Sequence, residues 1–340
     1  MSNKEKQCKI TSIGGSALIE GIMMRGPKCT TIAVRTGENE IHTEELKVKT
    51  LASKSKFFRL PFIRGITGIV DSMSMSYKAL AISADKALEA GEIEEEQSKF
   101  EKWLADKFGD NLMKVVMVIA TILGVLLAVG LFFFLPSLMY DGLAWLVKYV
   151  TSLDFVGNFG IGSIDIAENV FFKSVFEGVL KVVLFLGYII LCSQMEDMKR
   201  VFMYHGAEHK TIFCYEAGLE LNIENIKKQK RFHPRCGTSF LVITLLVGIF
   251  LGLFIPASPF GISFLRPVFK IVLLPLMVGI GYEVIKLCGK HDNWFTRILA
   301  APGMWAQRIT TREPDEKMIE VAIEAMTPVI PDDGSDIISK

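Results

Sequence analysis

VVMVIATILGVLLAVGLFFFL, residues 115–135, is a run of 21 residues without a charged side chain. At about 1.5 Å per residue, a helix of this length crosses the roughly 30 Å hydrocarbon core of a bilayer. The run therefore predicts a transmembrane helix. Hydrophobic residues make up 50% of the 340 residues and the mean hydropathy is +0.36. These values exclude a disordered or collagen-like chain and are unusual for soluble domains.

Residues 170–192 form a second apolar segment, which Lys173, Glu177 and Lys181 interrupt in its first half. Their i, i+4 spacing places them on one helix face, where we expect them to pair with one another. The sequence therefore predicts a second span. A surface-lying helix up to Gly178, followed by a short insertion, is the alternative.

Two more apolar segments follow the histidine-containing part of the chain. Residues 238–255 carry no charge, and residues 268–285 are predicted to return across the bilayer. Pro275 lies inside the last segment and predicts a kink, because proline removes a helical N–H donor. Lys270 and Glu283 lie near the two ends of that segment, where they can reach the interface or pair.

Lysine and arginine are distributed unevenly between the loops. The stretch 136–169, of which Leu138–Tyr149 is predicted to lie at the membrane interface, carries only Lys148. The stretch 194–237 is predicted to be cytoplasmic, because cytoplasmic loops are enriched in Lys and Arg. Both termini are then predicted to be cytoplasmic. This arrangement requires an even number of spans, and four spans satisfy it. The stretch 194–237 carries Lys199, Arg200, Lys210, Lys227, Lys228, Lys230, Arg231 and Arg235.

The predicted fold is an α-helical polytopic membrane protein with about four transmembrane helices and a small α+β cytoplasmic N-terminal domain. In chain order, the predicted parts are a cytoplasmic N-terminal region at 1–111, two spans with their external loop at 112–193, a cytoplasmic histidine-rich loop at 194–237, two spans at 238–288 and a cytoplasmic tail at 289–340.

The N-terminal region is predicted to contain a β-hairpin and a long helix. Thr31–Arg35 and Ile41–Val48 flank a Gly-Glu-Asn turn, which is typical of paired strands. After Pro61, apolar residues recur in steps of three and four, which predicts a helix with one apolar face. We expect that face to pack in the core of the domain, with the membrane surface as the second choice. The apolar positions are Phe62, Ile66, Ile69, Met73, Tyr77, Leu80, Ala84 and Leu88.

Residues 12–27, SIGGSALIEGIMMRGP, are rich in glycine, as phosphate-binding loops are. No lysine follows in the P-loop arrangement and no G-x-G-x-x-G is present. A strand and turn that need glycine for backbone reasons are therefore the favoured interpretation. Glu20 and Arg25 are the residues of this stretch with charges available for a site.

The charges and cysteines exclude two further classes of protein. Because 38 Lys and Arg balance 37 Asp and Glu, the net charge is +1, and no basic excess indicates a nucleic-acid partner. The six cysteines are too scattered for a disulfide framework. We expect a reducing compartment.

Three of the five histidines fall within residues 205–233. The first two form His205-Gly-Ala-Glu208-His209, and residues four apart lie above one another on a helix, so both imidazoles can reach one cation. H-x-x-E-H is the inverted form of the zinc metalloprotease motif, in which the glutamate activates water. The spacing therefore predicts a metal site with Glu208 as the catalytic residue.

Further metal ligands are expected at the other end of the same loop, where His233 and Cys236 supply an imidazole and a thiol. Nitrogen and sulfur donors favour zinc. Glu216 lies on the same helical face but seven residues beyond His209, roughly 10 Å along the axis, so it is expected next to the ligands rather than among them. Glu283, near the cytoplasmic end of the last span, is a further candidate.

Two kinds of metal site fit these residues. A closed structural site uses His205, His209, His233 and Cys236, whereas an open catalytic site uses three ligands and water. Glu208 favours the catalytic alternative, because a structural site does not need an acid beside its metal. Without a metal, the histidines would cap helices or contact lipid headgroups.

Four motifs resemble the YqhQ-like family of bacterial membrane proteins, in order and over essentially the whole chain. They are IEGIMMRGP at 19–27, YHGAEHKT at 204–211, HPRCGTSF at 233–240 and APGMWAQRITTREPD at 301–315. Members of that family are described as predicted metal-dependent enzymes. The family is of uncharacterised function, and the label rests on the same His and Glu residues, so the resemblance implies a bacterial membrane protein and adds no separate support for a metal-dependent activity.

The resemblance also draws attention to the C-terminal motif, which is expected just after the last span, with Pro314 ending any helix there. A membrane-anchoring Trp305 and an ordinary helix end are the simpler and slightly favoured interpretation. In the alternative, Arg312 and Glu20 or Arg25 line a site shared with the histidine loop. The remaining motif positions considered are Gln307, Thr310 and Thr311.

Two functions fit the sequence. One is a metal-dependent hydrolase embedded in the bilayer, acting on a lipid headgroup or peptide at the cytoplasmic leaflet. The other is a non-enzymatic membrane scaffold or membrane-protein biogenesis factor with a structural metal, which works with a membrane-protein partner or as a homo-oligomer. Transport is a weaker third choice, since few buried charges are expected in the spans.

Overall fold

The structure is a computed structural model that describes residues 9–47, 50–91, 115–116, 118–151, 169–291 and 293–338. Its two compact units are described separately. Each unit combines separate stretches of the chain. The first consists of Met1–Glu94, Gly187–Thr244 and Val278–Lys340, and the second of Glu95–Leu186 and Leu245–Met277. The predicted boundary between residues 111 and 112 lies outside the described residues.

In the described part of the first unit, six strands form two antiparallel sheets. Strands β2 to β5 pair in sequence order, and β1 pairs with β6 near the other end of the chain. In the hairpin of β4 and β5, Val34 pairs with His42, close to the predicted strands; Val48, the predicted end, lies outside the described residues. The strands are β1 Ile10–Thr11, β2 Gly14–Leu18, β3 Gly21–Arg25, β4 Thr30–Gly37, β5 Glu40–Glu45 and β6 Ile337–Ile338.

Helices make up most of the described chain. Three short 3₁₀ turns, at Lys56–Arg59, Pro259–Gly261 and Thr327–Val329, accompany them. The helices are α1 Leu51–Lys54, α2 Ile63–Glu89, α3 Val118–Val150, α4 Val170–Cys192, α5 Glu196–Glu216, α6 Ile223–Lys227, α7 Gly237–Gly252, α8 Leu265–Val272, α9 Leu274–Lys290, α10 Trp294–Thr310 and α11 Glu316–Met326.

The four-stranded sheet buries both of its faces. Successive side chains of a strand point to opposite faces, so Ile22 and Met24 pack with α5 and α11, whereas Met23 packs with α2. Burying a large apolar side chain stabilises a fold by about 1.5–3 kcal/mol. The sheet therefore fixes α5, which carries the histidine motif, on one face and α2 on the other.

Helix α2 buries a different face from the one that its sequence predicts. The buried positions of α2 include Gly65, Met75 and Ala79, whereas Met73 and Tyr77 of the predicted apolar face are 69% and 77% exposed. The prediction that the apolar face packs in the core is therefore wrong. Small side chains on the buried face let the helix axis approach its neighbours closely, which the apolar pattern alone does not reveal.

Helix α3 is longer than the predicted span. It runs for 33 residues and continues through the segment Leu138–Tyr149, which was predicted to lie separately at the interface. Pro136 has no N–H, so one i→i−4 hydrogen bond of the helix is missing. The π-helical turn Gly130–Phe134 lies just before this position, and the helix continues through both features. Pro136 therefore coincides with a local change in the hydrogen bonding of α3 and does not end the helix.

Among the described residues, two helices, α3 and the 23-residue α4, are long and apolar enough to cross a membrane, which indicates membrane association. Helices α8 and α9 pass the same test together and are bent by 48°. The bend confirms the predicted kink. It lies at Leu273, two residues before Pro275, which has no N–H to donate to the Ile271 carbonyl and whose ring clashes with that carbonyl. Helix α7 has 16 residues, about 24 Å of helix, which is short of the hydrocarbon thickness.

The charged residues at the start of α4 do not pair with one another as predicted. Lys173 contacts Asp141 of α3, and Glu177 contacts Lys270 and Arg266. The Arg266 side chain is fully buried and also donates to the Gly252 carbonyl at 3.0 Å and the Ser174 hydroxyl at 2.7 Å. Contacts between helices replace contacts within one helix because a buried charge needs a partner in the desolvated interior, wherever that partner lies in the sequence.

Candidate metal centre

Helix α5 carries His205, Glu208 and His209 in the first unit. The i, i+4 spacing brings the two imidazole rings to 4.4 Å between centroids, as the sequence predicts for a helix. Between them, Gly206 lies against the chain after α10: a Cβ atom at this position would be 2.0 Å from the Arg312 carbonyl oxygen. Only glycine permits this approach.

Cys236 completes a group with the two histidines. The Cys236 Sγ atom lies 3.1 Å from His205 Nε2, and one ligand atom from each of His205, His209 and Cys236 lies within 4.8 Å of the other two. A tetrahedral zinc ion holds adjacent nitrogen and sulfur ligands roughly 3.3–3.6 Å apart. The donor types and their closeness therefore fit a transition-metal ion such as zinc.

Backbone carbonyls orient both imidazole rings. His205 Nδ1 donates to the Thr310 carbonyl at 2.9 Å, and His209 Nδ1 donates to the Arg231 carbonyl at 2.5 Å. A carbonyl oxygen only accepts, so Nδ1 carries the proton in each ring and Nε2 is left for the cluster. Histidines that bind metals are commonly fixed in this way by their second ring nitrogen.

The charges of this group favour a thiolate. Burial opposes ionisation of Cys236, but His205 and His209 beside it hold the pKa of the thiol well below its usual range. Burial alone would lower the pKa of His205, yet the Cys236 thiolate raises it to about 9. Metal binding to these residues therefore requires release of the His205 Nε2 proton.

Glu208 is buried at 5% exposure. Burial raises the pKa of its carboxyl group, and the neighbouring His205 and His209 oppose that rise. The Gly15 backbone N–H of β2 hydrogen-bonds to this carboxyl group, and a Cβ atom at Gly15 would lie 3.0 Å from Glu208 Cδ. The glycine-rich segment thus lets a strand approach the acid, in agreement with the backbone interpretation of its glycines.

His233, predicted as a third imidazole ligand, lies outside the group formed by the other three residues. Its Nδ1 accepts from the Arg235 backbone N–H at 3.3 Å, and its Nε2 lies 3.8 Å from Glu216. Burial lowers the pKa of His233 to about 4, so the ring is neutral. Both ring nitrogens of His233 therefore face Arg235 or Glu216.

Glu216 lies in a second polar cluster with His233. It contacts the Arg235 guanidinium and accepts from the Thr11 backbone N–H at 2.9 Å. Burial opposes ionisation of Glu216, but His233 and Arg235 lower the pKa of its carboxyl group. Glu216 therefore ties β1 and the loop before α7 to the end of α5.

Gln307 of the C-terminal motif is fully buried and holds the backbone of His233. Its side-chain Oε1 accepts from the His233 N–H at 2.7 Å, and its Nε2 donates to the His233 carbonyl at 2.7 Å and to the Ser239 hydroxyl at 2.9 Å. Gln307 therefore holds in place the loop that carries Cys236. The C-terminal motif builds the site through Gln307 and the Thr310 carbonyl.

The remaining predicted residues contact other partners. Glu20 pairs with Arg200 and accepts from the Tyr204 hydroxyl at 3.2 Å, and Arg25 lies at the end of β3. The Arg312 guanidinium donates to the Ser193 carbonyl at 3.0 Å. The Glu283 carboxylate forms an ion pair with Arg64 at 2.5 Å. These contacts connect elements of the first unit around the site.

Sequence reasoning missed the two carbonyls that orient the imidazoles, because any residue carries a carbonyl group. It also missed Gly15 and Gly206 as positions of close approach. The position of Gly206 inside H-x-x-E-H could have indicated this close approach, because a residue without a side chain permits a distant segment of the same chain to cross the helix.

Comparisons with known proteins agree with the resemblance. The family model described as protein of unknown function (DUF1385) matches residues 60–332. The "Uncharacterized protein YqhQ" of Bacillus subtilis (strain 168) is 33% identical over 321 residues, which cover 93% of this chain and 92% of that protein. No solved structure matches. The match over most of both chains shows that this protein belongs to the YqhQ-like family, whose family model is DUF1385.

Proposed function

We propose that the protein is a metal-dependent hydrolase of the membrane, with zinc held by His205, His209 and Cys236. The observation that supports it most directly is the orientation of both rings, whose Nδ1 atoms donate to carbonyls while Nε2 is left for a ligand. Three protein ligands leave a fourth position open, as in catalytic zinc sites.

The chain's own residues suggest how the reaction would proceed. A bound zinc ion supplies Lewis-acid polarisation of a substrate oxygen and lowers the pKa of water. Glu208 would take a proton from the attacking water and return it to the leaving group, and burial, which raises the pKa of its carboxyl group, favours proton acceptance. The substrate class that we propose is a lipid headgroup or a peptide at the cytoplasmic leaflet.

Metal content tests this proposal. Purified wild-type protein is expected to carry about one zinc ion per chain, and the double variant His205→Ala/His209→Ala is expected to carry almost none. Elemental analysis in detergent makes the measurement. The exposed histidine of His291→Ala is the matched control and should leave the metal content unchanged. Equal metal content in all three proteins would contradict the site.

A structural metal site is the second candidate, and the burial of His209 and Cys236 favours it. In this alternative the metal fixes α5, the loop before α7 and the end of α10 to one another. The protein would then serve as a scaffold or a membrane-protein biogenesis factor, with a membrane-protein partner or as a homo-oligomer.

We further propose four spans in the bacterial inner membrane, with α7 and the α8–α9 pair completing the set and both termini in the cytoplasm. The Lys and Arg distribution supports this orientation. Cysteines at Phe260 and Lys230, both exposed, are introduced where Cys8, Cys29 and Cys192 are serine. An impermeant maleimide should label position 260 from outside intact cells and position 230 only after permeabilisation. Labelling of 230 from outside would refute this orientation.

A further inference from the structure

Helix α2 presents an apolar surface that the described residues leave largely exposed. Val70, Met73, Tyr77 and Leu80, called the α2 stripe, are all exposed, and their spacing of three and four residues places them on one face. The opposite face packs on the sheet through Met75 and Ala79. The α2 stripe is thus a continuous surface of large side chains in contact with solvent, a feature typical of interaction sites.

The segment before α2 continues this surface and adds positive charge. Phe57, Leu60 and Phe62 are exposed, and Lys54, Lys56 and Arg59 alternate with them in the sequence. These basic side chains are exposed as well. Basic residues beside exposed phenylalanine and leucine are the composition of segments that lie in the headgroup region of anionic bilayers.

The first turn of α2 is attached to a helix with the apolar composition of a membrane span. A Cβ atom at Gly65 would lie 2.7 Å from Tyr282 Cβ, and one at Gly279 would lie 3.0 Å from the Phe62 carbonyl oxygen. The Arg64 guanidinium forms two hydrogen bonds with Glu283. These contacts, all within the first unit, hold the start of α2 beside α9, which with α8 is long and apolar enough for a bent span.

We propose that the α2 stripe and the preceding Phe57, Leu60 and Phe62 lie in the surface of an anionic lipid bilayer. The apolar side chains enter the boundary between headgroups and acyl chains, and Lys54, Lys56 and Arg59 contact lipid phosphates. A second copy of the chain fits less well, because a symmetric pairing would bring the same basic residues toward one another. This surface is independent of the metal-dependent activity.

Fluorescent probes on the full chain test the proposal. Single cysteines replace Met73 and Tyr77 in the α2 stripe, and Ser74 and Asp85 on the exposed polar side of α2 serve as matched controls. The background has serine at positions 8, 29 and 192 and retains three buried native thiols. An environment-sensitive probe is attached after reconstitution into phosphatidylglycerol-containing vesicles, and gel filtration before reconstitution confirms that each variant is folded.

The expected result is a blue-shifted emission at positions 73 and 77, with loss of intensity when the vesicles contain lipids brominated near the headgroup end of the chain. The probes at 74 and 85 should instead be quenched by aqueous iodide. Water-like emission at 73 and 77 would overturn the proposal. Blue-shifted emission without bromine quenching would also overturn it, because a protein surface would then cover the α2 stripe.

The charge contribution has its own test. In a Lys54→Gln/Lys56→Gln/Arg59→Gln variant, bromine quenching at position 77 should weaken in phosphatidylglycerol vesicles and approach the value measured in neutral phosphatidylcholine vesicles. High salt should have the same effect on the unsubstituted segment. Quenching that depends on neither the basic residues nor salt would contradict the anionic-lipid part of the proposal.

Discussion

Gly206→Ala is expected to prevent assembly of the metal centre and to destabilise the first unit by about 3 kcal/mol or more, as severe overpacking does. The added Cβ atom would lie 2.0 Å from the Arg312 carbonyl oxygen. That backbone has little freedom to retreat, because the Arg312 N–H donates to the Phe202 carbonyl at 2.8 Å and Thr310 accepts from His205. Protein abundance in membranes, thermal unfolding and zinc content measure the effect.

Gly237→Ala is the matched control, since nothing lies within 4 Å of a Cβ atom at that position. Alanine is favoured over glycine in helices, so this variant should keep wild-type abundance and metal content. A Gly206→Ala protein as stable and as metal-loaded as Gly237→Ala would show that the chain after α10 does not cross α5 at this point.

Glu208→Gln is expected to keep the fold and the zinc but to lower the activity by about 10²–10⁴-fold, the usual contribution of a general acid–base residue. The amide is nearly isosteric with the carboxyl group and retains an oxygen that accepts from the Gly15 N–H, but it cannot take a proton. Complementation of a deletion strain reports function, and elemental analysis reports the metal in the same preparations.

Glu196→Gln, an exposed acid on the same helix, is the control for the chemical change and should be silent. His209→Ala should lose both the metal and the function. In a scaffold with a structural metal the order changes: Glu208→Gln is silent, whereas His209→Ala lowers abundance through misfolding. An abundant, metal-loaded and functional Glu208→Gln protein would therefore end the hydrolase proposal and leave the scaffold.

Local sequence patterns predicted the elements that depend on neighbours in the chain. The uncharged run at 115–135 predicted the apolar helix α3, because length and hydropathy are properties of one segment. The H-x-x-E-H spacing brought His205 and His209 together for the same reason, since helical periodicity fixes their relation. Cys236 was reached through its donor type, without knowledge of the path of the loop.

Contacts between distant segments decided the rest. Sequence spacing put His233 with the ligands, but Arg235 and Glu216 orient its ring toward themselves. The intrahelical pairing expected of Lys173 and Glu177 was replaced by contacts with α3 and α8. In each case the side chain had more than one partner within reach, and the surrounding fold selected among them.

What the sequence by itself determined is the apolar character of α3 and α4, the family and the pairing of two histidines across one helical turn. Only the tertiary structure decided which face of α2 is buried and which carbonyls orient His205 and His209. It also decided that Gly15 and Gly206 lie in close contact with distant segments of the same chain. The periodicity of apolar residues predicts which residues share a helix face. Which face is buried depends on the other elements that pack against the helix. A backbone carbonyl is present at every residue, so only the folded path of the chain shows which one accepts the imidazole proton.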